Sequence, residues 1–134
     1  MNIIIRLENQ NDYEEVEDLT REAFWDIYHP GCEEHFVVHK LRKVSAFIPE
    51  LDFVAVQDDQ IVGNIIYSKS KVVDRNNNEH EVLTFGPISV LPSLQKQGIG
   101  SALIEHTKKL AETMGYKAII IFGNPAYYHR FGFK

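Results

Sequence analysis

The chain has 134 residues, of which 44% are hydrophobic and 25% are charged, and this composition is typical of one globular domain with a substantial core. A formal net charge of −5 argues against a nucleic-acid partner, and no apolar run approaches the roughly 18 residues of a membrane-spanning helix. The single cysteine excludes an internal disulfide, and the N-terminal sequence lacks the segments of a signal peptide. We therefore expect one cytoplasmic domain over residues 1–134, with no membrane association.

The first third of the chain predicts one strand and two helices. Residues 2–7 form the predicted strand, and a helix capped by Asn11 or Asp12 is predicted to run to about Tyr28. After a His-Pro-Gly break, a second helix is predicted over about 33–44. Apolar side chains spaced by three and four residues define the inner face of the first helix: Val16, Leu19, Thr20, Ala23, Phe24 and Ile27.

The opposite face of the first helix is acidic. Its members are Glu8, Asp12, Glu14, Glu15, Glu17, Asp18 and Glu22. Negative charge near a helix N-terminus is favourable because it interacts with the positive end of the helix dipole. We interpret this face as a solvated surface. The alternative is a surface that attracts a cationic amine.

The second helix carries the apolar residues Phe36, Val37, Leu41 and Val44. Three residues are candidate metal ligands: Cys32, His35 and His39. The two histidines are four residues apart and share one face of the helix. A structural zinc site normally has four ligands, and the sequence offers only these three together. We expect no metal ion, and we interpret the histidines as surface residues.

The middle of the chain predicts three strands in succession. The first covers 51–56, and Asp58-Asp59 is a hairpin turn that leads into the second strand over 61–73. Gly63 lies inside the second strand and is a candidate bulge, since an isolated glycine in a strand often marks one.

A polar turn over 74–78 precedes the third strand of this group, which is predicted over 80–90. Gly86-Pro87 interrupts that strand. Because proline has no N–H to donate to a ladder, we expect a bulge or a splayed strand at this point.

The last part of the chain predicts a long helix, a strand and a short helix. The long helix runs from Ile99 to Met114 and ends at Gly115. Its apolar stripe consists of Ile99, Ala102, Leu103, His106, Leu110, Ala111 and Met114. A buried strand over 117–122 and a helix over 126–131 follow. The order βααβββαβα predicts a mixed α/β (α+β) sheet with helices packed on it.

A loop with two glycines joins the strand that ends at Val90 to the long helix. The first amide groups of a helix lack intrahelical partners and carry the positive end of its dipole, and glycine lets an anion approach the backbone. The junction therefore predicts a cradle for a phosphate or pyrophosphate, to which Lys96 adds a positive charge. Its residues are Gln95, Lys96, Gln97, Gly98, Ile99, Gly100 and Ser101.

Other phosphate-binding motifs have a different spacing. No GxxxxGK[ST] string of a P-loop occurs, and the third glycine of a GxGxxG dinucleotide motif would fall on Leu103. The remaining pattern, with its strand and helix, is Q-x-x-G-x-G, and it resembles the acyl-CoA-binding motif of the GCN5-related N-acetyltransferases, the GNAT family. Residues 124–133 (NPAYYHRFGF) are similar to a second element of that family, as found in small bacterial predicted acetyltransferases.

The resemblance implies the GNAT fold and the activity of an N-acetyltransferase. Acetyl-CoA is then the co-substrate, and a primary amine, on a small molecule or a protein, attacks its thioester directly. The pyrophosphate of coenzyme A is expected on residues 95–101. The runner-up function is a GNAT-like domain that binds acyl-CoA without transferring the acyl group, and a third is a module for protein interaction only.

The resemblance also implies roles for residues outside the cradle. The backbone of Ile88 and Val90 is expected to pair with the amides of the pantetheine arm, and Asn124 to bind this arm or cap the last helix. Tyr128 is the expected catalytic residue, which protonates the leaving thiolate, with Tyr127 as the alternative. A phenol suits this task because its reference pKa is near 10 and it stays protonated at neutral pH.

The general base is not evident from the sequence. Members of the family often carry a glutamate on the strand before the cradle, whereas the acids and histidine of that strand stand only at its start, over 79–81. Glu33, Glu34 and His35 are alternatives. A chain of water molecules is another, because an amine needs little activation once it is deprotonated.

The sequence departs from the family in one respect. The family usually continues with about two further strands, whereas this sequence ends at Lys134. Three explanations follow: a truncated product, which we favour, a domain completed by a second copy in a homodimer, or an unusually short member.

Overall fold

The structure is a computed structural model, and it describes residues 3–25, 31, 34–116 and 119–120. Five strands, three α-helices and three 3₁₀ turns lie within these residues. The strands are β1 (Ile4–Leu7), β2 (Phe53–Gln57), β3 (Gln60–Val73), β4 (Glu79–Val90) and β5 (Ile119–Ile120). The helices are α1 (Tyr13–Phe24), α2 (Glu34–Leu41) and α3 (Ile99–Thr113). The 3₁₀ turns cover Gln10–Asp12, Pro49–Leu51 and Pro92–Leu94.

The strands form one sheet in the order β1-β2-β3-β4-β5. The first four are antiparallel to their neighbours, and β5 pairs with β4 in parallel through Leu83–Ile119 and Thr84–Ile120. The predicted mixed α/β sheet is therefore confirmed. The predicted helix over 126–131 and the outer residues of the predicted strand over 117–122 lie outside the described part of the chain.

The turns and irregularities of the strands agree with the sequence. Asp58 and Asp59 have φ values of 50° and 63°, as a two-residue hairpin turn of type I′ requires. The β2–β3 register shifts next to Gly63, because Ala55 pairs with Gly63 and Val56 with Ile61. The extra residue is Val62, beside the predicted glycine.

A second bulge interrupts β4 at the predicted Gly86-Pro87. Ile65 pairs with Ile88, and Tyr67 with Phe85, so that two residues of β4 stand opposite one residue of β3. The insertion changes which backbone groups of β4 face β3, and it does so just before the strand reaches the cradle.

Helices cover both faces of the sheet. Helices α1 and α2 lie on one face over a cluster of buried side chains: Val16, Leu19, Val38, Val54, Ile61 and Ile66. Helix α3 lies on the other face over a larger cluster that includes Phe53, Ala55, Ile65, Tyr67, Leu83, Ile99, Leu103 and Ile104. None of the helices in the described residues combines the length and the apolarity needed to cross a bilayer.

The inner face of α1 is as predicted, whereas its cap is not. Val16, Leu19, Thr20 and Ala23 are buried, and Ile27 lies outside the described residues. Asn11 is not the cap, because Asn9 accepts a hydrogen bond from the Asn11 N–H. Asp12 stands directly before α1, but its carboxylate accepts from the Asn9 N–H instead of capping α1. Together Asn9 and Asp12 form a capping box around the 3₁₀ turn.

The predicted stripes of α2 and α3 are partly wrong. In α2 the fully buried side chain is Val38, and Phe36 and Val37 are exposed. In α3 the residues Ile99, Leu103 and Ala111 are buried as expected, but Ala102, His106 and Met114 are exposed. Ile104 and Thr107 are buried in their place, because Thr107 meets the hydroxyl of the buried Tyr67 at 2.8 Å and turns that face of the helix toward the sheet.

Helix α3 approaches β3 closely at Gly63. A Cβ atom at this position would lie 3.0 Å from Ile99 Cγ2 and 3.2 Å from Leu103 Cδ1. The lack of a side chain therefore lets the N-terminal turn of α3 pack directly on the strand. This contact fixes the height of the cradle above the sheet.

Candidate functional site

The predicted cradle is the left-handed entry into α3. Gly98 occupies the position before the helix with φ 91° and ψ 1°, and Lys96 also has a positive φ of 65°. The Ala102 N–H makes the helical bond to Gly98 O at 3.0 Å, so the amides of Ile99 and Gly100 precede the first helical donor and have no partner within the helix. These amides lie at the positive end of a 15-residue helix.

Open space adjoins this backbone. A Cβ atom added to Gly98 would meet no atom within 4 Å, and Gln95, Lys96 and Gln97 are exposed. Ile99, in contrast, is 3% exposed and packs into the core. Any contact of Ile99 with an anion must therefore come from its backbone, while its side chain anchors the helix. The geometry fits a phosphate or pyrophosphate group, which any side chain at Gly98 would obstruct.

The end of β4 presents backbone groups toward the same region. The Leu91 N–H donates to Val62 O at 2.9 Å, and Val90 pairs with Gly63. Hydrogen-bonding direction alternates along an antiparallel strand, so the N–H and C=O groups of Ile88 and Val90 point away from β3. Among the described residues, β5 pairs with β4 only at Leu83 and Thr84, before the bulge.

Gln95 links the two parts of the candidate site. Its side-chain Nε2 donates to Val90 O at 3.2 Å, which ties the loop to the end of the strand. The sequence predicted Gln95 as a ligand-binding residue, and the structure adds this contact to the strand. Loop and strand edge are therefore brought together, whereas Asn124, Tyr127 and Tyr128 lie outside the described residues.

The interpretation of the acidic face as solvated is wrong for three of its seven members, Glu8, Asp12 and Glu17, whereas Glu15 is exposed although it has a hydrogen-bond partner. The Glu8 carboxylate is fully buried and accepts hydrogen bonds from Arg42 Nε at 3.0 Å and Arg42 Nη2 at 2.8 Å. Glu17 accepts from Arg42 Nη1 at 2.8 Å. Glu15 accepts from the Ile61 N–H at 2.8 Å. Asp12 binds Arg6 at 2.7 and 3.0 Å, and this hydrogen bond holds the pKa of Asp12 below its usual value.

Asp52 is a buried acid that sequence reasoning placed simply within a strand. It is 2% exposed, and burial, together with the hydrogen bond and charge of Glu8, raises its pKa to about 9. The raised pKa favours the protonated form of Asp52, whose hydroxyl can donate to the Glu8 carboxylate. One signal could have found it: it is the single carboxyl in the apolar run over 51–56.

Two of the described candidate bases have partners of their own. Glu79 pairs with Lys71 at 3.2 Å near the far end of β4, and the ring of His35 packs on Phe36 at 4.1 Å. Glu33 lies outside the described residues, and so does Cys32, one of the three candidate metal ligands. No group of three metal-ligating side chains occurs within the described residues, where His39 Nδ1 lies 3.1 Å from Glu17.

Helix α1 borders two surface grooves. One, of about 600 Å³, lies between the start of α1 and α2, and its lining includes Glu14, Asp18, His35 and His39. The other, of about 590 Å³, is lined by Asp18, Arg21, Glu22, Trp25 and Pro92. Because Pro92 follows Val90 by two residues, this second groove adjoins the end of β4.

Comparison with known proteins gives a consistent family. Residues 50–134 match the family model described as Acetyltransferase (GNAT) domain. The chain is 29% identical over 133 residues to the uncharacterized N-acetyltransferase YhbS of Escherichia coli K12, and the match covers 98% of this chain and 74% of that protein.

Solved structures agree with this match. A GNAT family acetyltransferase from Brucella melitensis in complex with acetyl-CoA superposes with a TM-score of 0.86 at 32% identity, covering 99% of this chain and 83% of the other. YhbS from Escherichia coli in complex with CoA gives a TM-score of 0.85 at 27% identity, covering 100% of this chain and 69% of the other.

Proposed function

This chain belongs to the GNAT family of acetyltransferases and is an acetyl-CoA-dependent acyltransferase, and we propose that it transfers the acetyl group to a primary amine by direct attack of that amine. Acetyl-CoA supplies the activated acyl thioester. The observation that carries the proposal is the open, left-handed backbone at Gly98, directly before the amides of α3.

We assign separate tasks to the backbone groups of the site. The amides of Ile99 and Gly100, with Lys96, would hold the pyrophosphate through the dipole of α3. The outward-facing groups of Ile88 and Val90 would bind the pantetheine amides and hydrogen-bond the thioester oxygen, where negative charge develops during attack. Tyr128 would return a proton to the leaving thiolate, and its role remains a prediction.

An amine acceptor is supported by the groove beside Pro92. Asp18 and Glu22 are spaced by one helical turn along its wall, and Trp25 adds an aromatic surface. Carboxylates attract a protonated amine, and the Trp25 ring beside them already carries the Arg21 guanidinium at 4.8 Å. The cytoplasmic location and completion by a second copy stay predictions of the sequence.

The proposal is tested by binding and turnover in a pair of matched variants. Gly98 and Gly115 have φ values of 91° and 94°, and a Cβ atom added at either position would meet no atom within 4 Å. Gly98→Glu and Gly115→Glu therefore impose similar backbone strain at opposite ends of α3. Acetyl-CoA at 100 times its Kd should stabilise the parent by about 2.7 kcal/mol, and only Gly98→Glu should abolish that shift.

Turnover distinguishes a transferase from a binding domain. In the parent, thiol release from acetyl-CoA should depend on an added primary amine, and Gly98→Glu should eliminate it while Gly115→Glu retains it. Acetyl-CoA binding without turnover across a broad amine panel would favour the acyl-CoA-binding alternative. If acetyl-CoA changes the melting temperature of none of the three proteins, the proposed binding of acetyl-CoA at the cradle is contradicted.

A further inference from the structure

A line of buried polar side chains crosses the face of the sheet that α1 and α2 cover. Glu8 follows β1, Asp52 precedes β2, Asn64 lies in β3 and Ser89 lies in β4. Asp52, Asn64 and Ser89 are 2%, 0% and 1% exposed, and the Glu8 side chain is 0% exposed. We call these four residues the polar seam. Polar groups buried in this way are costly unless each one is hydrogen-bonded.

The seam is connected strand by strand. The Glu8 N–H donates to Asp52 O at 2.9 Å, and Asn64 Nδ2 donates to Asp52 Oδ1 at 3.0 Å and to Phe53 O at 2.8 Å. Asn64 and Ser89 stand directly opposite each other in the β3–β4 register. Directly opposite side chains share one face of a sheet, so both lie on the side that α1 and α2 cover.

Ser89 also connects the seam to α1. Its Oγ donates to Thr20 Oγ1 at 3.2 Å, and Thr20 Oγ1 in turn donates to Val16 O at 2.9 Å. Thr20 is 0% exposed. Both hydroxyl protons are therefore used, because Ser89 donates to Thr20 and Thr20 donates to the backbone of α1.

The donors around the seam leave one oxygen without a hydrogen, on a residue opposite a second oxygen that can still accept one. Both amide hydrogens of Asn64 are used, and its Oδ1 meets no donor among the described residues. The Ser89 hydroxyl has given its only proton to Thr20 and keeps acceptor capacity. Asn64 Oδ1 therefore lacks a hydrogen, and the Ser89 oxygen on the opposite residue can accept one.

We propose that one buried water molecule donates to Asn64 Oδ1 and to Ser89 Oγ, and that the completed seam positions the backbone of Ile88 and Val90. The Cβ atoms of directly opposite residues are about 4.5–5.5 Å apart, a span that a single water bridges with two hydrogen bonds. Buried waters occupy such sites, where polar groups otherwise lack partners. An apolar group would leave Asn64 Oδ1 unsatisfied.

The consequence for catalysis follows from the place of Ser89 in β4. It stands between Ile88 and Val90, the two residues whose backbone groups point away from β3. The seam holds Ser89 from one side of the strand and so sets the direction of the groups on its edge. Ser89, Asn64 and Thr20 are positioning residues in this scheme, which rests on the proposed binding of the pantetheine arm to Ile88 and Val90.

The experiment compares removal of buried hydroxyls on the two faces of the sheet. Ser89→Ala and Thr20→Val act on the seam, and Thr107→Val removes a hydroxyl that is equally buried under α3. The melting temperature of each full-length variant is measured, together with its Kd for coenzyme A by calorimetry. Because a small displacement of binding groups costs much affinity, both seam variants should bind coenzyme A about tenfold more weakly, while Thr107→Val retains the parental Kd.

The outcomes separate this inference from the function on which it rests. Parental affinity in both folded seam variants, or the same loss in Thr107→Val, would overturn the positioning role. Failure of the parent to bind coenzyme A would instead count against the proposed function. A high-resolution crystal structure should show a water within hydrogen-bond distance of Asn64 Oδ1 and Ser89 Oγ, and a protein donor in its place would overturn the water assignment.

Discussion

The two faces of the sheet are built by different interactions. Under α3 the core is apolar, and its one buried polar pair within the described residues, Tyr67 with Thr107, is fully hydrogen-bonded. Under α1 and α2 the apolar cluster is smaller, and Arg42 and the polar seam share the interface. The face under α3 therefore depends on the fit between apolar side chains, and the face under α1 and α2 depends on ion pairing and hydrogen-bond geometry. A polar interface is more sensitive to the loss of one partner, whereas an apolar one is more sensitive to added volume.

The largest expected loss of stability follows from removing Arg42, the buried cation on the face of the sheet that α1 and α2 cover. Arg42 is 5% exposed at its side chain and holds the fully buried Glu8 carboxylate. Arg42→Ala leaves that charge without its counter-ion, and removal of one partner of a buried pair costs about 3–5 kcal/mol. Urea unfolding measures this loss.

The control for Arg42 is an exposed ion pair. Lys71 and Glu79 are 67% and 61% exposed, and Lys71→Ala should cost less than about 1 kcal/mol. Similar losses for the two variants would show that the polar face is not held by its buried charges.

The second effect is the contribution of Asp52 to the pH dependence of the free energy of unfolding. Its pKa is raised from 3.8 to about 9, so its stabilising contribution is complete below pH 3.8 and is lost as the pH rises to about 9. Between these values the free energy of unfolding falls with pH, by at most about 1.4 kcal/mol per unit. Asp52→Asn keeps a donor toward Glu8 and an acceptor for Asn64 but removes this slope.

Unfolding at pH 5, 6.5 and 8 measures the difference between Asp52→Asn and the parent. The other titrating groups are common to both proteins, so they cancel. We expect the variant to gain stability relative to the parent as the pH rises. A constant difference across the three pH values would mean that Asp52 is ionised in the folded protein.

The third effect tests the apolar face by adding volume. A side chain at Gly63 meets Ile99 Cγ2 at 3.0 Å, so Gly63→Val should cost about 1–3 kcal/mol through overpacking. Displacement of α3 should also weaken coenzyme A binding, because the cradle includes the first residues of this helix. Urea unfolding and calorimetry measure the two effects.

A double mutant supplies the control for Gly63. Ile99→Ala deletes the atom that the new side chain meets first, so Gly63→Val with Ile99→Ala should be more stable than the sum of the single effects predicts. Strict additivity would indicate that strand conformation, and not the contact with α3, sets the cost.

The same contrast explains how far the sequence could predict the molecule. The hairpin at Asp58-Asp59, the interruption at Gly86-Pro87 and the left-handed entry at Gly98 all depend on residues close together in the chain. Local backbone chemistry determines such features, so a sequence reveals them. The family resemblance rested on the same kind of local pattern, and it is confirmed.

The polar face could not be predicted because its contacts are long-range. Arg42 is separated from Glu8 by 34 residues, and nothing in either neighbourhood indicates that they meet. The acids of α1 therefore looked like a solvated surface. The stripe of α3 was misplaced for a related reason: the hydroxyl of Tyr67, far away in the chain, determines that Thr107 faces inward.

The sheet order also has a consequence for how the chain folds. Strands β2, β3 and β4 pair with their sequence neighbours across short turns, and such hairpins close in about 1–10 μs. Strand β1 is separated from β2 by the segment that contains α1 and α2, since Leu7 pairs with Phe53, and closing this longer loop costs more entropy. Of these four strands, the first in the chain is therefore expected to be the last to join the sheet.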